Sequence, residues 1–398
     1  MQVRTITPDE RIQFSKIQSI SFLFPRDYSQ YEEKPEEFQE GYERVRAVFN
    51  DDGMMCSGLD LHPFRAYFDG NFAKTGGIGG VATLPSQRNK GYVRKLFEYI
   101  MEEMYDEGYV FSFLYPFSYS YYRKFGYEFN MSIVQCTLPF SALSHFRQTG
   151  KVELLLSYTD PSCIKSVYEQ YIQGKNLALD WQSHWSRFHK NDPYSSNVYL
   201  YVWYDGEDNA KGYLQYTIDR SDMNSVKPDM RLREIVWLNG DAFRGMMAFL
   251  NGFASQFRNL IFVIPEHEDI SLYFSEQGDI QQQIRIHGCN RVVHVKKALE
   301  LMKTPAGRGK AVIEVRDDFF PKNTDRYLIE WENGEKMVIA GRKEEADLIC
   351  SVHHLSQLIT GYRSITQLQT AGCVEVRCEP GLLDSLFPRK ALYILDMF

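Results

Sequence analysis

Between residues 88 and 94 the chain reads Arg-Asn-Lys-Gly-Tyr-Val-Arg, three cations and a glycine where an amphipathic helix begins. The apolar spacing of Val93, Leu96, Phe97, Ile100 and Met104 predicts that helix over residues 90–107, with Gly108 as its C-cap. The first turn of a helix carries N–H groups without intrahelical acceptors, and the helix dipole favours negative charge at that end. Gly91 lets a ligand approach the backbone closely, and the flanking cations add Coulomb attraction. This chemistry suits a pyrophosphate, in a pattern that is neither the Walker loop nor the dinucleotide fingerprint.

The neighbouring segments must position that loop. Residues 76–84 read as a glycine-rich strand before it, and Gly79-Gly80 permits a bulge and close backbone approach. Residues 109–115 read as a buried strand after the helix. A tyrosine-rich turn or helix follows, ending in Phe125-Gly126-Tyr127. Tyrosine is a neutral hydrogen-bond donor at physiological pH. The strand before the loop has no carboxylate between Lys74 and Leu84, so a base would have to come from elsewhere. Residues 391–398, Ala-Leu-Tyr-Ile-Leu-Asp-Met-Phe, are apolar almost throughout. Termini are usually polar and frayed, so this tail is expected to pack into the protein and enclose the Phe398 carboxylate, or else to bury Phe398 for stability alone.

At 398 residues the chain exceeds one ordinary core, and three segments are expected, at 1–150, 151–290 and 291–398. In the first, residues 3–6 alternate like an edge strand, and Thr7-Pro8-Asp9-Glu10 opens a helix. In the second, strands at 198–203, 212–217 and 232–237 precede a helix over 241–258 and a strand at 260–265. Its Asn239-Gly240-Asp241 is neutral to acidic where the first segment is basic. In the third, a helix at 296–302, a strand at 309–317, a hairpin at Asn333-Gly334 and helices at 352–361 and 364–371 are expected. A net charge of −7 without a lysine- or arginine-rich run disfavours nucleic acid as a partner. The seven scattered cysteines lack metal-ligand spacing and read as buried reduced thiols, with Cys373 and Cys378 as strand residues around a turn. No signal h-region or membrane-spanning run is present, so a cytoplasmic protein is expected, with no membrane partner. His184 and His189 among Trp181, Trp185 and Phe188, and the pair His353-His354, take the structural reading, because no nucleophile elbow accompanies them.

The order of strand, basic loop, helix, strand and Phe-Gly-Tyr ending resembles the acyl-CoA site of the GNAT N-acetyltransferases. The whole chain resembles one branch, the Eis (enhanced intracellular survival) family. The Gly91-x-x-Arg94 spacing fits that branch, although Val93 stands where GNAT loops often carry a small residue. Residues 291–299, Arg-Val-Val-His-Val-Lys-Lys-Ala-Leu, and the closing Leu395-Asp396-Met397-Phe398 resemble the sterol-carrier-protein-like domain that ends Eis-type enzymes. The resemblance implies an α/β (α+β) fold: tandem GNAT-like mixed sheets flanked by helices, the second without a CoA loop, then a sterol-carrier-protein-like domain.

The same resemblance implies acetyl-CoA as co-substrate and no metal. Val81, Ala82 and Thr83 would hold pantetheine. Arg88, Asn89, Lys90, Gly91, Tyr92, Val93 and Arg94 would hold the phosphates, and Phe117 and Ser118 the acetyl end. Tyr122, five residues before Tyr127, would be the proton donor, with Tyr119 and Tyr121 as rivals and Tyr127 as packing. The C-terminal carboxylate of Phe398 would be the proton acceptor. The reaction would acetylate a primary amine of an aminoglycoside, a polyamine or a lysine-bearing peptide. Attack would fall directly on the thioester, because no activated cysteine lies near the loop. Phe22, Phe24, Tyr28 and Asp396 are candidates to line the acceptor pocket, and a homo-oligomer, a hexamer, is implied. The alternative is a non-enzymatic lipid-binding protein with a CoA-sensing domain.

Overall fold

The computed structural model describes residues 1–156, 160–185, 192–222 and 225–396. They form two compact units, one of residues 1–130 with 288–390, the other of 131–287 with 391–396. The first unit opens with strand β1 (Gln2–Thr5) and helix α1 (Arg11–Phe22). Short helix α2 (Ser29–Glu33) follows, and a 3-10 turn at Tyr42–Arg44 enters β2 (Val45–Phe49). The long hairpin of β3 (Met55–Phe68) and β4 (Asn71–Thr83) lies beside β2. Helix α3 (Tyr92–Asp106) then crosses to β5 (Phe111–Leu114), which pairs in parallel with β4. Helix α4 (Tyr119–Arg123) carries the tyrosine-rich run. The apolar stripe of α3, with Leu96, Phe97, Ile100, Met101 and Met104, packs with Leu59, Leu61, Ile78 and Leu114. Phe14 and Ile17 of α1 pack with Val45, Ala47 and Ala82.

Strand β6 (Glu128–Pro139) leads into the second unit. There β7 (Lys151–Leu154) is followed by α5 (Ser162–Tyr171), α6 (Trp181–Trp185), β8 (Val198–Tyr204) and β9 (Ala210–Asp219). Next come β10 (Asp229–Trp237), α7 (Gly240–Asn251) and β11 (Asn259–Pro265). The strand order is β7-β8-β9-β10-β11-β6, with β10 and β11 parallel and the other neighbours antiparallel. The helix expected through Arg258 ends at Asn251, where Gly252 starts a run of turns that includes a bond from Ala254 N to Asn251 O.

Strand β12 (Gln281–Val292) returns the chain to the first unit, where Cys289–Val292 pairs antiparallel with β5. Helix α8 (Val295–Leu301) precedes β13 (Arg308–Arg316), β14 (Asp325–Glu332) and β15 (Glu335–Ile339). The chain continues through β16 (Leu348–Ser351), α9 (Val352–Thr360), α10 (Ile365–Thr370), β17 (Glu375–Val376) and α11 (Pro380–Leu386). These five strands form a separate sheet in the order β15-β14-β13-β16-β17, with the expected hairpin at Asn333-Gly334. All seven cysteines are free. Cys56, Cys136, Cys289 and Cys350 are buried, but Cys163, Cys373 and Cys378 are only half-buried. Cys373 and Cys378 lie outside β17 rather than in it, because that strand is only two residues long.

Candidate functional site

The 3-10 turn at Pro85–Gln87 delivers the basic loop to the start of α3. Asn89 and Gly91 both take left-handed backbone, with φ of 63° and 81°. Asparagine and glycine adopt that region with little strain, which explains these types in the turn. Gly91 is the residue before the first helical turn. No side chain caps α3, and its first turn holds no acidic residue. Backbone bonding begins with Lys95 N to Gly91 O at 3.1 Å, so the N–H groups of Tyr92, Val93 and Arg94 precede it.

Tyr92, Val93 and Arg94 line a cavity of about 730 Å³. All seven residues from Arg88 to Arg94 line it, with Val81, Thr83 and Phe117 opposite and beside them. Four lining residues are cationic, Arg88, Lys90, Arg94 and Lys124, and none is acidic. In a chain of net charge −7 that local bias is selective for an anion. Arg94 also meets Glu98 at 3.0 Å on the exposed helix flank, and its guanidinium lies 5.5 Å from the Phe319 ring.

The strand wall depends on a bulge. The β3–β4 register shifts between Gly58 and Asp60, and Gly80 sits there at φ 57°. A bulge reverses which face the following side chains occupy. Before it, Ile78 points toward α3; after it, Val81 packs on the same cluster and Ala82 turns into the α1 core. Of the three residues expected against pantetheine, Val81 and Thr83 therefore reach the cavity and the Ala82 side chain does not. Pairing of β4 with β5 covers only Thr75–Ile78, so among the described residues the far edge of Gly79–Thr83 has no strand partner. Such an edge presents backbone groups to an extended ligand.

Tyr122 is 4 % exposed and does not line the cavity; its ring lies 5.6 Å from that of Phe117 and 5.9 Å from that of Phe97. Burial, with Tyr121 and Tyr127 nearby, raises its pKa, so the phenol stays protonated across the neutral range. Tyr121, the rival donor, does line the cavity, as does Phe22; Lys124, Phe125, Gln87 and Ser21 line it too, and the sequence did not single out these four for the site. Ser118 precedes α4, where its hydroxyl lies 3.1 Å from that of Ser120. Tyr127 is fully buried with its hydroxyl 2.7 Å from Ser112 Oγ, consistent with a packing role. Arg291 supports this corner by donating to Phe125 O, and it pairs with the fully buried Asp317 carboxylate.

A carboxylate absent from β4 is present on its neighbour. Asp60 pairs across from Gly79 and is buried, and burial raises its pKa despite Arg11, Gln18 and Arg44. Gln18 Nε2 bridges Asp60 Oδ2 at 3.0 Å and Gly80 O at 3.3 Å, holding the bulge. In sequence this Asp lies within the apolar run Gly58-Leu-Asp-Leu61, and only the strand pairing reveals it.

Among the acceptor-pocket candidates, Phe22 reaches the cavity, whereas Phe24 and Tyr28 do not. The Tyr28 hydroxyl is held by Ser15 and Ser19 at 2.9 and 2.7 Å. Asp396 belongs elsewhere, beside His184 in the second unit. Phe398, His189 and Phe188 lie outside the described residues. Among the described residues no cluster of His, Cys, Asp and Glu could hold a metal ion, and no helix is long and apolar enough to cross a membrane.

Comparison with known proteins agrees with this fold. Residues 2–130 match the GNAT acetyltransferase domain, residues 177–292 a second GNAT acetyltransferase domain, and residues 295–395 the sterol carrier protein domain. No protein of curated function matches the sequence. A GCN5-related N-acetyltransferase from Anabaena variabilis is similar over 100% of both chains, with 22% identity and a TM-score of 0.87. A probable N-acyltransferase from Enterococcus faecalis is similar over 98% of this chain and 97% of its own, with 20% identity and a TM-score of 0.85. Eis1 from Mycobacterium abscessus is similar over 100% of both chains, with 18% identity and a TM-score of 0.80. The protein is an acetyltransferase of the GNAT class, whose domains use acetyl-CoA as co-substrate. Two GNAT domains followed by a sterol-carrier-protein-like domain give it the Eis-type architecture.

Proposed function

We propose that the protein transfers the acetyl group of acetyl-CoA to a primary amine by direct attack on the thioester. The observation that carries this reading is the cavity in which the open edge of β4, the uncapped start of α3 and four cations converge without an acidic residue. The strand edge at Val81–Thr83 would hold pantetheine through its backbone, so the inward turn of the Ala82 side chain is compatible with that role. Residues 88–94 would hold the phosphates, and Phe117 and Ser118 the acetyl end. Tyr122, kept protonated by burial, would donate a proton to the departing thiolate. Tyr121 is the rival donor because it lines the cavity. The Phe398 carboxylate, supplied by the third domain, would take a proton from the acceptor ammonium and so free the neutral amine that attacks, since amines are mostly protonated near pH 7. Aminoglycosides, polyamines and lysine peptides are the acceptor classes, and a hexamer is the assembly, on the same Eis resemblance; a cytoplasmic location is proposed from the sequence pattern alone.

The test is CoA release from acetyl-CoA with kanamycin, spermidine and a lysine peptide, for the native chain and one extended by residues after Phe398. Amine-dependent release that the extension abolishes, with acetyl-CoA binding retained, is the expected result. Binding of acetyl-CoA without release by any amine would overturn the acceptor classes. Undiminished release by the extended chain would remove Phe398 as the base.

A further inference from the structure

At and beyond its bulge, strand β4 gives three backbone carbonyls to side chains. Gln18 Nε2 donates to Gly80 O at 3.3 Å and to Asp60 Oδ2 at 3.0 Å. Ser21 Oγ donates to Thr83 O at 2.9 Å, and Ser57 Oγ donates to Ala82 O at 2.9 Å. Gln18 and Ser21 stand three residues apart on α1, so they share one face of that helix. Among the described residues no side chain takes the Val81 carbonyl. Val81 and Thr83 line the cavity, and the pairing of β4 with β5 has stopped at Ile78.

A bulge does not fix its own position, because neighbouring placements differ by a one-residue slip in register. Such a slip would exchange Val81 and Ala82 between the cavity and the α1 core. The Gln18 bridge resists it with both N–H groups of one amide. Asp60 is 7 % exposed, so losing the bridge would leave a buried carboxylate oxygen without its donor, which is costly. The bridge also fills the space beside Gly80. A Cβ there would lie 2.3 Å from Gln18 Nε2 and 2.6 Å from Asp60 Oδ2. Glycine is therefore required twice over, by its φ of 57° and by the bridge.

We propose that Gln18 and Ser21 are positioning residues for acyl-CoA, with Asp60 as the acceptor that orients Gln18. By holding the Gly80 and Thr83 carbonyls, α1 keeps the Val81–Thr83 edge in register for the pantetheine amides. The inference rests on the reading of that edge given above. What it asks of Asp60 is a hydrogen-bond acceptor, not a charge. The test is calorimetric titration of acetyl-CoA into the full chain and its variants, with denaturant unfolding of each alongside. Gln18→Met keeps side-chain length without an N–H, and Ser21→Ala removes the hydroxyl. The Kd for acetyl-CoA should rise about threefold to tenfold in each. Asp60→Leu should match Gln18→Met, which carries the test if the leucine variant fails to fold. Asp60→Asn keeps an acceptor and Ser21→Thr a hydroxyl, so both should stay within about twofold of the native Kd. Native Kd in either Gln18→Met or Ser21→Ala overturns the inference, even where the unfolding midpoint falls, since α1 would then support the fold and not the ligand. A Kd raised as far by Asp60→Asn as by Asp60→Leu or Gln18→Met overturns it too, because charge would then be what matters. A native chain that binds no acetyl-CoA removes the reading of the cavity, and the inference with it. That result differs from failure of the inference alone, in which the native chain binds and the variants bind equally well.

Discussion

The two GNAT-like segments repeat one layout, strand, helix and parallel strand, as β4–α3–β5 and as β10–α7–β11. They differ at the helix start. At α3 the N-terminus is uncapped, its first turn holds no acid, and it opens on a cationic cavity. At α7, Asn239 Oδ1 accepts from Ala242 N at 2.9 Å and Asp241 occupies the first turn. Arg244 there lies 5.4 Å from the Tyr273 ring, and Phe243 stacks on Tyr273 at 4.3 Å. A helix whose N-cap side chain already takes one of its free N–H groups, and which carries an acid at its start, has less to offer a phosphate. The same layout thus yields an uncapped end in one copy and a capped, acidic end in the other.

The largest effect should come from the group only the first copy supplies. Tyr122→Phe is expected to lower kcat by about 10²–10⁴-fold, the usual worth of a positioned acid, with little change in acetyl-CoA affinity. Stopped-assay kinetics beside Tyr121→Phe settle which phenol acts, and native turnover in Tyr122→Phe removes it. Next, Gly91→Asp gives α3 the acidic character of α7. Aspartate tolerates left-handed backbone, so the fold should persist while the Kd for acetyl-CoA rises about tenfold or more. Unchanged affinity by calorimetry would show that the start of α3 does not meet the phosphates. The smallest effect belongs to the second copy. Asn239→Ala should cost about 1 kcal/mol in denaturant unfolding and leave acetyl-CoA binding untouched. A loss of binding there would break the contrast between the two helix starts.

Several parts of the site were legible because they are local. The basic loop, the stripe of α3 and its close at Gly108 follow from neighbouring residues, and all seven loop residues do meet at one cavity. The expected end of α7 missed by seven residues because apolar spacing continues past Gly252 after the helix has turned away. Asp60 was hidden because its relevance arises from register with a strand whose own sequence is free of acid. Asp396 was expected at the acceptor pocket, but its partner, His184, lies 212 positions away in the second unit. No sequence spacing encodes that contact.

What the sequence determined by itself is what backbone chemistry and short-range periodicity enforce. A glycine and an asparagine sit where left-handed backbone is needed, cations stand at a helix start, and strands alternate with helices in the GNAT order. What only the tertiary structure decided is which side chains a bulge re-aims and which charges meet in the dark. The Gly80 bulge turns Ala82 inward while Val81 and Thr83 reach the cavity. The His184 cluster gathers α6, β10 and the chain end. Both depend on register and on long-range packing, which are set by the whole buried surface rather than by any window of neighbouring residues.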